Sequence, residues 1–351
     1  MKSIATVTTT SPAQADAWSA GRNPAPEQIA DGVWAIASPI PEGTLPHTLT
    51  YVLRGRDGSV HLVDPGWDSD ENLATLTASL ERLGCRLGDV STVIATHFHP
   101  DHLGLAGRLR ELSGASVLFS GVERRVLAQD TSALARDRRR YAGVLDEWGV
   151  PAVRRSELID SFDRPSLVDD LEPDRALADG ETIDLPGHTL RVIATPGHTD
   201  GHICLADDER RLLYSGDHVL PTIYSGIGIG SLPESDALGD YFDSIAKLEP
   251  VDEYETLPGH EYRFEGLAAR RAEIAAHHRR RVREVAALAD ELGDESTWEY
   301  ARRLTWTSGW DGLTGFWLHS ALRQTQMHLR LVRSGRAESL LVRADGEERD
   351  S

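Results

Sequence analysis

Residues 96–104, Thr-His-Phe-His-Pro-Asp-His-Leu-Gly, constrain the fold more than any other stretch, because they gather four side chains that bind metals. The apolar residues of the preceding stretch, 90–95, indicate a short buried strand. The apolar positions of residues 103–112 keep the spacing of a helix. The cluster therefore lies where a strand ends and a helix begins. Its members are His97, His99, Asp101 and His102.

The spacing within this cluster suits two metal ions. Side chains two positions apart on an extended segment point the same way, so His97 and His99 can approach one ion together. Asp101 and His102 follow at the helix entrance, where they can face a second ion. Neutral imidazole and carboxylate ligands suit zinc, and they also suit iron or manganese. We therefore predict a metal centre rather than a polar surface loop that is rich in histidine.

At these residues the chain resembles the metallo-β-lactamase superfamily, whose motif is His-x-His-x-Asp-His. Three further motifs of the family follow in the expected order, in residues 195–202 (TPGHTDGH), 214–218 (YSGDH) and 257–262 (LPGHEY). The resemblance covers about residues 30–265. It implies the α/β fold class and the αββα sandwich of metallo-β-lactamases, with a helical insertion and a C-terminal helical, winged-helix-like tail.

By the same resemblance, two ions would be held by His97, His99 and His198 for the first, by Asp101, His102 and His260 for the second, and by Asp217 as the bridge. Asp64 would orient ligands without binding metal, although its Asp-Pro-Gly context also fits an ordinary turn. His202 and His218 lie close to ligands along the chain. Because the ligand set is already full, we assign these two histidines to supporting positions.

Such a centre favours hydrolysis. Two dications a few ångströms apart repel unless anions lie between them, so a bridging carboxylate and a bridging hydroxide are both expected. Coordination lowers the pKa of bound water towards about 7, so a metal-bound hydroxide is available to attack an acyl centre. Asp101 would also take or relay the proton. We expect two zinc ions, with iron or manganese as alternatives.

The contexts of the motifs bear on the substrate. The Gly-His-Glu-Tyr sequence around His260 is similar to that of glyoxalase II, a thioesterase of glutathione adducts, which makes Tyr262 a candidate substrate contact. Leu220 stands three residues past Asp217, where homoserine-lactone hydrolases of the family carry a tyrosine. A β-lactam is disfavoured because Cys204 lies outside the Ser-Gly-Asp context. We therefore favour a thioester or a related acyl ester, on a small molecule or on a carrier.

Three other activities remain alternatives: a lactone hydrolase, a mono-iron sulfur (persulfide) dioxygenase and an RNA-processing nuclease. The dioxygenase would use a family-like subset of His97, His198 and Asp217. The net charge of -19, from 37 basic and 56 acidic residues, argues against nucleic acid and anionic membranes as partners. Because the chain has no apolar run long enough for a signal peptide or a bilayer-spanning helix, we expect a soluble, cytoplasmic protein.

The sequence pattern divides the chain into three regions. We expect residues 1–23 to form a flexible N-terminal tail, residues 24–264 the metallo-β-lactamase-fold catalytic domain, and residues 265–351 a C-terminal helical, winged-helix-like region. A winged helix suggests DNA binding, but the acidic net charge favours a role in packing or in forming a homodimer.

Two segments are expected to border the active site. Residues 121–174 interrupt the alternation of strands and helices and are predicted to form a helical cap. In that cap, Arg139 either meets an anionic group of the substrate or belongs to a solvated helix face. The glycine-rich residues 221–232 are predicted to form a mobile wall of the pocket, with Tyr224 as a candidate substrate contact.

Overall fold

The first of two central sheets contains the strand that leads into the metal-binding motif. The computed structural model describes residues 7–41, 45–128, 138–160, 171–229, 235–306 and 309–337. In spatial order, the seven strands of this sheet are β2 (Glu27–Ala30), β3 (Val33–Pro39), β4 (His47–Arg54), β5 (Val60–Val63), β6 (Val90–Ile94), β7 (Ser116–Ser120) and β8 (Arg175–Leu177). The strands from β5 to β8 run parallel. The apolar runs of β5 and β6 suit parallel strands that are covered on both faces.

The second sheet also has seven strands and supplies the remaining predicted ligands. In spatial order they are β1 (Thr8–Thr9), β14 (Phe264–Glu265), β13 (Glu255–Pro258), β12 (Leu212–Gly216), β11 (Ile203–Asp207), β10 (His188–Ala194) and β9 (Thr182–Leu185). Only the pair of β12 and β13 is parallel among the described pairs of this sheet. The carboxyl ends of β12 and β13 therefore meet at the same edge.

The N-terminal segment is part of the fold, and this corrects the expectation of a flexible tail over residues 1–23. Strand β1 pairs with β14 at the edge of the second sheet. Helix α1 (Pro12–Ser19) follows it. The buried side-chain oxygen of Gln14 accepts a hydrogen bond from the backbone amide of Arg263 (3.1 Å). A two-residue strand and an eight-residue helix leave almost no periodic signal in a sequence, which is why the prediction was wrong where the structure describes this segment.

Helices cover the outer faces of both sheets. After α1, the α-helices of the described residues are α2 (Asp70–Arg82), α3 (Pro100–Leu103), α4 (Ala106–Ser113), α5 (Gly121–Ala128), α6 (Arg138–Glu147), α7 (Ala152–Asp160), α8 (Ala237–Lys247), α9 (Leu267–Leu292), α10 (Thr297–Arg303) and α11 (Gly315–Arg333). Helices α2 and α4 pack on the first sheet, while α8, α9 and α11 pack on the second. A third apolar cluster fills the space between the sheets. The predicted αββα sandwich is confirmed.

The predicted cap and the C-terminal helices share one apolar core. Trp148, directly after α6, and Leu158 of α7 pack with Trp298 of α10 and Leu318 of α11. The Trp298 amide donates a hydrogen bond to the Trp148 carbonyl (2.8 Å). The sequence pattern also predicts a strand at residues 339–343, the β-element of a winged-helix-like tail, and these residues lie outside the part of the chain that the structure describes. Within the described part, no helix combines the length and the apolar character needed to cross a membrane.

Candidate metal centre

Four segments that follow strand ends bring the seven predicted ligands together. The metal-binding motif continues from β6, and α3 begins inside it, at Pro100. His198 follows β10, Asp217 follows β12 directly and His260 follows β13. Three groups of donor atoms result, and the atoms of each group lie within 4.8 Å of one another. The groups are His97 with His99 and His198, His97 with His102 and Asp217, and Asp101 with His102 and His260.

The first group consists of three imidazole nitrogens. The Nδ1 atom of His99 lies 2.9 Å from Nε2 of His97 and 3.1 Å from Nε2 of His198. His97 and His198 are buried, and His99 is half-buried. These are the three side chains predicted to bind the first ion.

Asp217 lies between this group and the second one. Its Oδ2 atom is 3.7 Å from Nε2 of His198 and 3.3 Å from Nε2 of His260, and its Oδ1 atom is 3.4 Å from Nε2 of His102. The Oδ2 atom of Asp101 lies 3.3 Å from His260 Nε2 and 3.6 Å from His102 Nε2. Asp217 therefore lies between the two groups: Oδ2 faces a histidine of each, and Oδ1 faces the second group, as expected for a bridging carboxylate.

The nitrogen of each imidazole that points away from the centre has a partner in the protein. Hydrogen bonds run from His99 Nε2 to the Ile229 carbonyl (3.3 Å), from His198 Nδ1 to the Gly226 carbonyl (2.6 Å), from His260 Nδ1 to the His47 carbonyl (2.9 Å) and from His102 Nδ1 to Asp64 Oδ2 (2.9 Å). The Thr96 hydroxyl donates to Asp64, so Nδ1 of His97 donates to that hydroxyl (3.1 Å). In a neutral imidazole these bonds place the ring proton on the outer nitrogen, so the nitrogen that faces the centre offers its lone pair to an ion.

This donor set fits metal ions. The lone pairs of His99 Nδ1 and His198 Nε2, 3.1 Å apart, cannot hydrogen-bond each other and repel unless a cation lies between them. Within the described residues, the buried atoms His102 Nε2 and Asp217 Oδ1 have no hydrogen-bond partner, a situation that folded proteins avoid unless an ion or water is bound. Imidazole nitrogen and carboxylate oxygen are the usual ligands of zinc outside thiolate sites.

The two groups differ in how they hold protons. Burial and the neighbouring His198 imidazole lower the pKa of His99 to about 3, and burial also lowers the pKa values of His97 and His198. Burial acts in the same direction on His260, but the carboxylates of Asp217 and Asp101 outweigh it and raise the pKa of His260 to about 10. Near neutral pH the imidazoles of the first group are therefore neutral, whereas an ion at the second group must displace a proton from His260.

The three predicted supporting residues lie next to ligands. Asp64, at a φ of 54°, accepts hydrogen bonds from the Thr96 amide (2.8 Å) and from His102. The Nε2 atom of His202 accepts a hydrogen bond from the Asp217 amide (3.2 Å), so its lone pair is not available to an ion. The His218 ring lies between those of His202 and Tyr241, with centroids 5.8 and 4.8 Å away. Their supporting roles stay predictions.

The predicted substrate contacts lie at different places. The Tyr224 hydroxyl donates to Glu273 (3.1 Å), and its ring stacks on His277 with centroids 3.8 Å apart. Tyr262 is half-buried, two residues past His260 along the chain. Arg139 lies in α6, and its side chain is outside the described part. A substrate-binding role for these residues stays a prediction.

Sequence reasoning missed several supports of the centre. Glu261 is fully buried and accepts hydrogen bonds from the backbone amides of Thr222 and Ile223 (both 3.0 Å), which anchors the glycine-rich segment. The sequence predicts a mobile wall here, whereas in the structure two carbonyls of this segment accept hydrogen bonds from His198 and His99, two of the predicted ligands. A Cβ atom on Gly259 would lie 2.5 Å from Asp217 Oδ1, so only glycine lets the bridge approach. The position of Glu261 next to His260 in the sequence could have indicated a supporting role for Glu261. The backbone carbonyls that bind the histidines leave no such signal in the sequence.

Comparisons with known proteins agree with this geometry. A family model described as the metallo-β-lactamase superfamily matches residues 43–260. Among solved structures, a metallo-β-lactamase family protein from Thermus thermophilus is similar with a TM-score of 0.72 and 28% identity, covering 88% of this chain and 95% of that one. The fold and the ligand motifs therefore occur together in a known family.

Two relatives are more similar in sequence over shorter segments. A hydroxyacylglutathione hydrolase of Rhizobium johnstonii is 40% identical over 117 residues, which are 29% of this chain and 43% of that enzyme. An acyl-coenzyme A thioesterase of Bos taurus is 39% identical over 101 residues, which are 28% of this chain and 34% of that enzyme. In each case the match spans less than half of the relative's length.

Proposed function

The chain belongs to the metallo-β-lactamase superfamily and is a metal-dependent hydrolase of that family; from this premise we propose that it hydrolyses a thioester or a related acyl ester. The observation that carries the proposal is the position of Asp217 between two groups of histidines, each of which turns ring nitrogens towards the centre. When bound, metal ions lower the pKa of a water molecule and polarise the carbonyl oxygen of an acyl group.

Asp101 is the side chain best placed to handle a proton in this reaction. Its side chain is 19% exposed, whereas that of His102 is fully buried, so Asp101 lies at the open side of the centre. The Thr48 hydroxyl donates to its Oδ2 atom (3.5 Å), and Nε2 of His260 lies 3.3 Å from the same oxygen. A carboxylate fixed in this way can accept a proton from the nucleophile and pass it to solvent.

A thioester suits this site for a chemical reason. A thiolate leaves without prior protonation more readily than an alkoxide, because the pKa of a thiol is only about 8.5. Asp101 is the candidate proton carrier of this site, and a thiolate leaving group does not require a second group to protonate it. The site therefore suits a thioester. The similarity to a hydroxyacylglutathione hydrolase and to an acyl-coenzyme A thioesterase supports the same substrate class.

We further propose that the centre holds two zinc ions and acts in the cytoplasm on a small-molecule or carrier-bound acyl substrate. Seven donor residues are enough for two ions that share one carboxylate. The net charge of -19 disfavours nucleic acid as the substrate.

The test begins with elemental analysis of protein purified without added metal, followed by assays of the zinc-loaded enzyme. The panel contains acyl-coenzyme A and acyl-glutathione thioesters, lactones, phosphodiesters and a β-lactam. We expect about two zinc ions per chain, and thiol release from a thioester at rates above those on the other classes. Turnover of a lactone or a phosphodiester without thioester cleavage would overturn the substrate class. About one iron per chain, with oxygen uptake on a persulfide, would overturn the hydrolase itself.

Matched variants assign the activity to this centre. Asp217→Ala and His97→Ala are expected to abolish thioester cleavage and to lower the metal content. His61→Gln serves as the control, because His61 is a buried histidine of β5 whose ring nitrogens contact Ser59 and Ser91 instead (3.1 and 3.2 Å). Full thioesterase activity in either the Asp217→Ala or the His97→Ala variant would contradict the assignment of the active site to this centre.

A further inference from the structure

The loop of residues 220–229 joins the C-terminal helices to the three-histidine group. On the side of α9, Arg270 is buried and donates hydrogen bonds to the carbonyls of Leu220 and Ile223 (both 2.7 Å). Tyr224 donates to Glu273 of the same helix (3.1 Å). The first half of the loop is therefore fixed to α9.

The second half of the loop holds the metal ligands. The Gly226 carbonyl accepts the Nδ1 proton of His198 (2.6 Å), and the Ile229 carbonyl accepts the Nε2 proton of His99 (3.3 Å). Two backbone bonds tie the loop to the segment that bears His198: the Gly228 amide to the Gly197 carbonyl (2.8 Å), and the Ile229 amide to the His198 carbonyl (3.0 Å). The positions of these two carbonyls therefore determine the ring orientations of His198 and His99.

One side chain of α11 supports this half of the loop. Gly228 has a φ of +68°, and a Cβ atom built on it would lie 2.6 Å from the sulfur of Met327 and 3.4 Å from Cβ of Ala237. Met327 is buried, and it belongs to the same apolar cluster as Ile227. The thioether thus packs directly on the glycine that stands between the two ligand-binding carbonyls. A methionine adapts its shape to such an irregular gap.

We propose that Met327 is a positioning residue of the three-histidine site: by packing on Gly228 it fixes the carbonyls that orient His198 and His99, and so the C-terminal helix α11 sets the metal affinity of this site. The inference concerns metal binding alone and holds for any substrate of the enzyme. Outer partners of ligating histidines typically change metal affinity by about 10–100-fold. Met327 acts one contact further out, so we expect the lower end of that range.

The experiment compares Met327→Ala with two matched variants. Met327→Leu keeps a side chain of similar volume, and it is expected to retain the metal affinity of the unaltered protein. Leu329→Ala removes an equally buried side chain of α11 that packs with Val285, Tyr300 and Leu304 instead of with the loop. Thermal unfolding curves of every variant serve to check that it is folded at the assay temperature.

Metal affinity is measured by competition with a chromophoric chelator, and the two sites are distinguished by cadmium NMR of the loaded protein. For Met327→Ala we expect the dissociation constant of one site to rise by about tenfold. The cadmium signal of the nitrogen-rich site should shift or broaden, while the signal of the mixed carboxylate site stays in place. Equal loss of affinity in Leu329→Ala, or unchanged binding and an unchanged spectrum in Met327→Ala, would overturn the proposal.

Discussion

The Nδ1 atom of His99 lies 3.1 Å from the Nε2 atom of His198, while the other nitrogen of each ring gives its proton to a backbone carbonyl. Neither ring can rotate to relieve the contact without breaking its outer hydrogen bond. The protein therefore holds two lone pairs together in a buried place, an arrangement that favours a cation over an empty site.

Removal of metal should lower stability as well as activity. A ligand that binds only the folded state stabilises it by about 2.7 kcal/mol at a free concentration of 100 times its dissociation constant. Calorimetry of chelator-treated protein should show a lower unfolding midpoint that rises again as zinc is added. Magnesium is the control, since it prefers six oxygen ligands. An unfolding midpoint that does not respond to zinc would contradict a preorganised site.

The gathering of these side chains at one place could be predicted from the sequence because each lies in a short local motif. His97 and His99 are two residues apart, and His198, Asp217 and His260 each follow a strand that its apolar pattern reveals. The layered fold was predictable for the same reason, since buried strands and amphipathic helices alternate along the chain.

The outer partners could not be predicted in this way. The carbonyls of Gly226, Ile229 and His47 belong to a loop and to the start of β4, far from their histidines in sequence, and a carbonyl is common to every residue type. The packing of Met327 on Gly228 joins positions 99 residues apart on different elements. Such contacts are decided by how the layers pack, which no local pattern records.

Asp64 is expected to control the second ion. Asp64→Asn suits the positive φ of 54° at this position, because asparagine tolerates the left-handed region, so the backbone is preserved. The neutral amide orients His102 less strongly than the carboxylate does. We expect one metal dissociation constant to rise by about 10–100-fold, measured by chelator competition. Asp207→Asn is the control, a buried carboxylate that pairs with Arg210 (2.9 Å), and equal losses in both variants would contradict the prediction.

Glu123 is expected to make stability depend on pH. The carboxyl is fully buried, the Thr199 hydroxyl donates to it, and burial raises its pKa from 4.5 to about 8. Asp200 is the charged neighbour that also raises this pKa. The folded state therefore binds the proton more tightly than the unfolded state does. The resulting stabilisation is complete below pH 4.5 and is lost as the pH rises towards 8.

The contribution of Glu123 is measured as a difference between two proteins. Between these pH values, its share of the unfolding free energy should fall by about 1.4 kcal/mol per pH unit. Urea unfolding of Glu123→Gln should lack this component, since the amide does not titrate. Glu172→Gln, at an exposed carboxylate that pairs with Arg124, should keep the slope of the unaltered protein. Parallel pH profiles for Glu123→Gln and the unaltered protein would show that Glu123 is ionised when folded.

Deletion of residues 1–23 should harm both the fold and the second metal site. It removes strand β1, which pairs with β14. It also removes the Gln14 side chain, which accepts a hydrogen bond from the Arg263 amide. It also removes Trp18, whose ring packs edge-on against His47 with centroids 5.3 Å apart. The carbonyl of His47 holds the ligand His260, so a looser His47 weakens the orientation of that ligand.

We expect this deletion to lower the unfolding midpoint by roughly 2–5 °C and to reduce the affinity for the second ion. Deletion of residues 1–6 alone is the control, because it leaves β1, Gln14 and Trp18 in place. Trp18→Ala separates the two effects, since it keeps β1 paired with β14 while it removes the ring beside His47. If residues 1–23 can be deleted with no change in the unfolding midpoint or the metal content, the prediction is wrong and the contacts of β1, Gln14 and Trp18 contribute no measurable stability.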